Sequence, residues 1–165
     1  VTAAAVIFPK DYYNPDLNDS KKISKNKRKI LREEIIQNSI DYSICHVSVK
    51  TIDKINIFNA SILAMNRAIK NLKVIPEFIL VDGKFFKSSL KIPHQGFIKG
   101  DSTYLSIAAA SILAKTSRDN YMIRLSKKFP TYNWQQNKGY PTKEHKNAIK
   151  SNGITIHHRK SFKMD

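Results

Sequence analysis

The stretch LSIAAASILAKTSRDNYMI, Leu105–Ile123, decides the fold. It lies inside a helix read over Ser102–Phe129, alanine-rich in its first half. Ile112, Thr116, Asp119 and Ile123 recur at helical spacing, and Leu105 and Ala108 extend the same stripe backwards. A helix with one apolar stripe needs a second layer to cover it, and small alanines let that layer come close.

The layer is sought in strands on the N-terminal side. Gln95–Ile98 and Phe78–Val81 read as short strands, with Lys84–Pro93 between them as a basic loop or hairpin. Further back, Ile57–Leu72 is a helix with Ile57, Ala60, Ala64, Ala68 and Leu72 on one face, and Thr51–Asn56 is a short helical turn before it. Tyr42–Val49 is a strand, and Lys25–Asn38 is a helix capped by Ser24, with Ile30, Leu31 and Ile35 as its stripe. Asp11–Lys22 is a polar loop, and Val1–Phe8 is a strand stopped by Pro9. Beyond the deciding helix, Pro130–Pro141 is irregular and carries Tyr132, Trp134 and Tyr140. Thr142 caps a short helix that ends at Asn152–Gly153, and a basic tail follows with His157, His158, Arg159 and Lys160. Strands and helices mixed in this way predict one α/β domain over 1–165, with 130–165 as its helical C-terminal extension.

The chain of 165 residues is 41% hydrophobic, enough for one core, and its net charge is +16. That excess points to a polyanionic partner, and nucleic acid suits it better than a lipid surface because no amphipathic terminal anchor is visible. A Lys-rich composition that merely solvates the surface is the plainer explanation. Cys45 is the single cysteine, so no intrachain disulfide can form and the cytoplasm is the expected compartment. No run approaches transmembrane length and no leader peptide precedes the body.

Two acids stand where chemistry is expected. Asp82 follows an apolar strand and precedes Gly83, which puts a carboxylate at the crevice end of a sheet or simply starts an Asx turn. Asp119 lies on the apolar stripe, where a carboxylate costs free energy unless it is paired or bound to a metal. A salt bridge to Lys115 or Arg118 would satisfy it; so would a metal shared with Asp82, and hard oxygen donors favour Mg²⁺ or Mn²⁺. Around them, Asn18, Asp19, Ser20, Lys21 and Lys22 could hold a phosphate, and Lys99–Ser102 combines a charge, a glycine turn and a helix start. Tyr140 sits beside Gly139, free to stack on a sugar or base, or else to pack half-buried. His157 and His158 are too few for a zinc site.

Taken in order, Leu17–Lys22, Val81–Gly83, Lys99–Asp101, Ser106–Lys115 with Arg118–Asp119, Lys138–His145 and His158–Phe162 resemble ribonuclease HII over nearly the whole chain. The resemblance implies a ribonuclease H-like core: a five-stranded mixed sheet flanked by helices, with a C-terminal helical extension. It implies an endonuclease that cuts RNA in RNA–DNA hybrids and on the 5′ side of ribonucleotides embedded in duplex DNA, using four carboxylates with Mg²⁺ or Mn²⁺. By the same resemblance Asp82 and Asp119 are metal ligands and catalytic acids, and Tyr140 packs on the sugar at the RNA–DNA junction. Asn18, Ser20, Lys21, Lys22, Lys99 and Arg159 line the nucleic-acid cleft. No obligate protein partner and a monomer are expected.

One family motif, Asp–Glu–Ala–Gly–Arg–Gly, does not occur in the 165 residues. It carries two of the four carboxylates and the backbone that reads the 2′-hydroxyl. The expectation is an N-terminally incomplete domain, without the central strand of its sheet and inactive by itself. The main rival is a non-catalytic module that binds nucleic acid regardless of sequence; a structural ribonucleoprotein component is the other.

Overall fold

The computed structural model describes residues 1–17 and 23–162, so the expected phosphate-binding residues Asn18, Ser20, Lys21 and Lys22 lie outside the described residues. Strand β1 (Thr2–Ile7) pairs antiparallel with β2 (Asp41–His46), from Thr2 opposite His46 to Ile7 opposite Asp41. Strand β3 (Ile79–Asp82) pairs parallel with β4 (His94–Phe97). The helices are α1 (Lys25–Asn38), α2 (Val49–Lys70), α3 (Leu105–Lys128), α4 (Trp134–Asn137) and α5 (Lys143–Asn152).

Alternation along β1 builds the layers. Ala4 and Val6 face a core made by Leu31 and Ile35 of α1 with Ala108, Ala109, Ile112 and Leu113 of α3. Ala3 faces the other way, onto Val47, Ile52, Ala60 and Ala64, and Ala5 meets Ile69, Ile79, Val81 and Phe86. Successive side chains of a strand point to opposite faces, so an almost all-small strand is clasped by helices on both sides. The alanines of α2 and α3 do what small residues allow: Ala60, Ala64, Ala68 and Ala109 are fully buried.

The α/β class with helices flanking strands and a helical C-terminal part holds. The expected five-stranded sheet is not continuous: among the described residues four strands form two separate pairs, one antiparallel and one parallel, so the mixed character survives without a single ladder. The segment between β3 and β4 is a loop and not a hairpin, because parallel neighbours require a crossover.

Helix α1 matches its expected span, and the Ser24 hydroxyl accepts the Lys27 backbone N–H at 3.3 Å. Strand β2 ends at His46 and not Val49, because the Ser48 hydroxyl accepts the Thr51 N–H at 3.2 Å and starts α2 earlier. The expected division near residue 57 is present inside α2 as a break at Asn56, whose φ of 63° is left-handed. Its side-chain oxygen accepts the Asn59 N–H at 3.0 Å and recaps the helix beyond the break. The segment 130–141 is more ordered than expected, holding a 3₁₀ turn at Pro130–Tyr132 and the short helix α4.

Candidate nucleic-acid cleft

Asp82 ends β3 with its side chain exposed, and its Oδ1 accepts the backbone N–H of Gly100 at 3.1 Å. That partner is distant in sequence, so the carboxylate joins two segments in place of closing its own turn. Gly100 is buried against α3: a Cβ there would lie 2.7 Å from Ile107 Cδ1 and 3.3 Å from Phe97 Cβ, so a larger residue would have to push these side chains aside. Lys99, exposed and left-handed with φ 54°, stands just outside. The Gly100 amide expected for a phosphate is thus already engaged by Asp82, leaving the Lys99 ammonium as the turn's contribution.

Asp119 lies on α3 with its side chain 14% exposed, held by Lys115 Nζ at 2.9 Å. Ile112 and Thr116 of its stripe are buried, and the Thr116 hydroxyl donates back to the Ile112 carbonyl at 2.7 Å. The expected salt bridge is therefore present, to Lys115 and not to Arg118. Arg118 turns to Tyr140, its guanidinium carbon 5.4 Å from the ring centroid. Its Nη1 is buried with no hydrogen-bond partner among the described residues, a donor for which an anion is the natural acceptor.

Asp119, Lys115 and Tyr140 border a cavity of about 780 Å³ lined also by Lys25, Arg28 and Lys138, among others, while Arg118 stands outside it. Four cations around one carboxylate make it a basin with positive walls, roomy enough for a stretch of phosphate backbone. Lys138 is left-handed with φ 52° and buried, and its ammonium donates to the Gln135 carbonyl. Its pKa lies below the ordinary lysine value, because of burial first and the charge of Lys25 second. Tyr140 is 56% exposed, not half-buried, so its ring is presented and not packed away. Gly139 holds it out on a φ of 78°, with its N–H donating to Asn137 Oδ1 at 2.8 Å. Arg159 reaches the same region: its pKa is lowered by burial and then by the nearby Arg118, and its guanidinium carbon lies 4.6 Å from the Phe162 ring centroid.

The structure thus gathers Asp119 and Tyr140 around one basin, with Arg159 beside Arg118, while Asp82 and Lys99 stand at the β3 end and do not line the basin. Among the described residues no three of His, Cys, Asp or Glu are grouped to hold a metal. The two aspartates supply hard oxygen donors of the right kind, but not the number a divalent pair requires. Lys25, Arg28 and Arg118 were missed as cleft residues; each sits in a helix whose charges read as ordinary surface.

A second cluster escaped the sequence altogether. Trp134 is buried against Tyr132, stacked at 5.1 Å, and its indole N–H donates to His145 Nε2 at 3.0 Å. His145 and His158 face each other with Nε2 atoms 3.2 Å apart. Burial, then the charges of His145 and His157, pushes the His158 pKa down to about 4. A base with a depressed pKa favours the folded state when neutral, so its contribution is full above about pH 6.5 and declines as pH falls towards about 4. The melting temperature should therefore drop across that window more in the wild type than in His158→Leu, which cannot titrate there. Trp134, the single tryptophan, gives the matching fluorescence readout. Parallel acid limbs in both proteins would show that His158 is not the group responsible.

Strands clasped between helices, with the long helix carrying one wall of a basic basin, give the chain an α/β architecture shared with ribonucleases H. The fold matches the crystal structure of ribonuclease H2 from Pyrococcus horikoshii OT3 with a TM-score of 0.75 at 22% identity, covering 90% of this chain and 77% of that one. It also matches the chain in the structure of the PCNA:RNase HII complex from Archaeoglobus fulgidus, with a TM-score of 0.73 at 24% identity, covering 90% and 79%. The ribonuclease HII family model matches residues 1–165. Ribonuclease HII of Christiangramia forsetii is 57% identical over 164 residues, covering 99% of this chain and 83% of that protein. The Parabacteroides distasonis enzyme is 56% identical over 164 residues, covering 99% and 82%. The chain belongs to the ribonuclease HII family of endoribonucleases.

Proposed function

We propose that the protein, with the Asp–Glu–Ala–Gly–Arg–Gly motif completing its acids, hydrolyses the RNA strand of RNA–DNA hybrids and the 5′ side of ribonucleotides embedded in duplex DNA, leaving 3′-hydroxyl and 5′-phosphate ends. The observation that carries this reading is the basin itself: a half-buried acid and an exposed tyrosine ring surrounded by cations, on a chain of this family. The backbone phosphates enter between Lys25, Arg28 and Lys138, and Arg118 adds its charge from the far side of the Tyr140 ring. Tyr140 lies on the sugar next to the junction and orients the scissile phosphate. Asp119 exchanges its Lys115 partner for the reacting centre, and Asp82, anchored by the Gly100 amide, approaches from the strand end.

Family members depend on a divalent ion, and Mg²⁺ or Mn²⁺ suits the oxygen donors of Asp82 and Asp119. Such an ion supplies a more acidic water and neutralises charge on the departing oxygen. We read 1–165 as one domain with 130–165 as its extension, working as a monomer in the cytoplasm. No helix among the described residues is long and apolar enough to cross a membrane.

The test is cleavage of a duplex with one ribonucleotide, with the new ends mapped. The chain joined to the Asp–Glu–Ala–Gly–Arg–Gly motif should give 3′-hydroxyl and 5′-phosphate ends on the 5′ side of the ribonucleotide; other ends would refute the reading. The 165-residue chain by itself, with two of the four expected acids, should bind the duplex and leave it uncut. Its affinity should fall steeply between about 50 and 200 mM salt, as phosphate contacts dictate. Junction cleavage by this chain would show that Asp82 and Asp119 suffice.

A further inference from the structure

The pair His145 and His158 is buried, fully hydrogen-bonded and outside the basin, and the reaction as described does not use it. Its neutral tautomers follow from the fixed donors around it, with the one lone pair of His145 Nε2 shared between two of them. The Trp134 indole nitrogen is only a donor, so His145 Nε2 accepts, and the neutral ring carries its proton on Nδ1. That nitrogen lies 2.9 Å from the Tyr140 carbonyl oxygen and donates to it. The Thr155 backbone N–H, also only a donor, lies 2.9 Å from His158 Nδ1, so His158 carries its proton on Nε2 and points it at His145. The result is one directed chain: Thr155 N–H to His158, His158 to His145, and His145 to the backbone of Tyr140. Both ends touch the cleft, because Arg159 follows His158 directly and Tyr140 is the exposed ring.

The other holds on the Tyr140 segment are local. Its carbonyl also accepts the Thr142 N–H at 2.8 Å, its own N–H donates to the Asn137 carbonyl at 2.8 Å, and the Lys138 and Gly139 N–H groups donate to the Trp134 carbonyl and the Asn137 side chain. A left-handed Lys138 followed by a positive-φ Gly139 gives the segment no ladder of its own. The His145 Nδ1–H is the side-chain hold on this carbonyl, and it comes from α5.

We propose that His145 is a positioning residue for substrate recognition: its Nδ1–H, steadied by Trp134 and His158, fixes the Tyr140 backbone so that the ring meets the sugar at the RNA–DNA junction in register with Arg159. This rests on the junction role given to Tyr140 above. The group recognised is a ribose beside a deoxyribose in a duplex, and the histidine pair never touches it.

Two variants of the chain joined to the Asp–Glu–Ala–Gly–Arg–Gly motif separate positioning from packing. In His145→Asn the amide N–H takes the place of Nδ1–H and can still hold the Tyr140 carbonyl, while the link to Trp134 and His158 is lost. In His145→Gln the amide takes the place of Nε2, so that link is kept and the hold on Tyr140 is lost. The readout is the ratio of kcat/KM for a single-ribonucleotide duplex to that for an all-RNA/DNA hybrid, with thermal unfolding alongside. We expect His145→Asn within about 3-fold of the wild-type ratio and His145→Gln lowered about 10-fold, even though Gln preserves more of the buried network and unfolds no earlier than Asn. If Gln keeps the ratio and Asn loses it, or the two are indistinguishable, the proposal is overturned. Tyr140→Ala, measured beside them, tells the two ideas apart. A wild-type ratio in Tyr140→Ala refutes the junction role itself, whereas a lowered ratio there with an unchanged one in His145→Gln refutes only the positioning by His145.

Discussion

With the chain joined to the Asp–Glu–Ala–Gly–Arg–Gly motif, Asp119→Asn should lower single-turnover cleavage on the order of 100-fold or more, and Asp82→Asn should do the same, with duplex affinity changed only a few-fold. The expectation follows from what each carboxylate touches. Asp119 is held at 2.9 Å by Lys115, a side chain 27% exposed, so the pair is partly screened and worth at most about 1 kcal/mol of stability. Losing it leaves the fold and the cations of the basin in place. What is lost is an oxygen donor at the reacting centre, worth several kcal/mol in a water-excluded site. Asp82→Asn likewise keeps a side-chain oxygen to accept the Gly100 N–H but loses the charge. Near-normal turnover in either variant would remove that residue from the chemistry, and equal losses of affinity and turnover would recast it as a binding group.

Tyr140→Ala comes second, with cleavage lowered roughly 5- to 150-fold if the ring stacks with the usual 1–3 kcal/mol. Tyr140→Phe should retain much of the activity. The ring is exposed, its neighbours Arg118 and Lys115 lie 5.4 and 6.0 Å from its centroid, and no partner for its hydroxyl is among the described contacts. Phe keeps the stacking surface and loses only the hydroxyl, so the pair of variants separates the surface from the proton. Packing of α5 onto the domain predicts something else: a lower melting temperature in Tyr140→Ala and equal losses on every substrate. Cleavage of single-ribonucleotide and all-RNA/DNA substrates by both variants, with unfolding curves, decides between them.

Much of the fold was legible because its signals are local. Ser24 announces α1, Thr142 announces α5, and each hydroxyl caps as expected, at 3.3 and 3.2 Å. The start of α2 was misplaced because Tyr42–Val49 is apolar enough to read as strand to its end, while Ser48 alone decides the boundary. Of the candidate residues read from the sequence, Asp119 and Tyr140 come together around one basin, because α3 and the turn at Gly139 are local features, while Asp82 stands apart at the end of β3. Arg118, one of many cations, and the Trp134–His145–His158 cluster were not read as a group. These three residues, 11 and 13 positions apart, share a buried hydrogen-bond network only through the way α4, α5 and the tail pack, and no periodicity records that.

The two separate strand pairs give the +16 charge a second task. Each pair ends in an edge, and β1 reads Thr–Ala–Ala–Ala–Val–Ile, an uncharged run without proline that another chain could extend. Mutual repulsion between such cationic molecules keeps these edges apart in dilute buffer, and added salt shortens its reach. The same ionic strength that loosens the grip on nucleic acid also removes the colloidal protection of the strands, so one electrostatic setting governs both how tightly the protein holds its substrate and how long it stays dispersed.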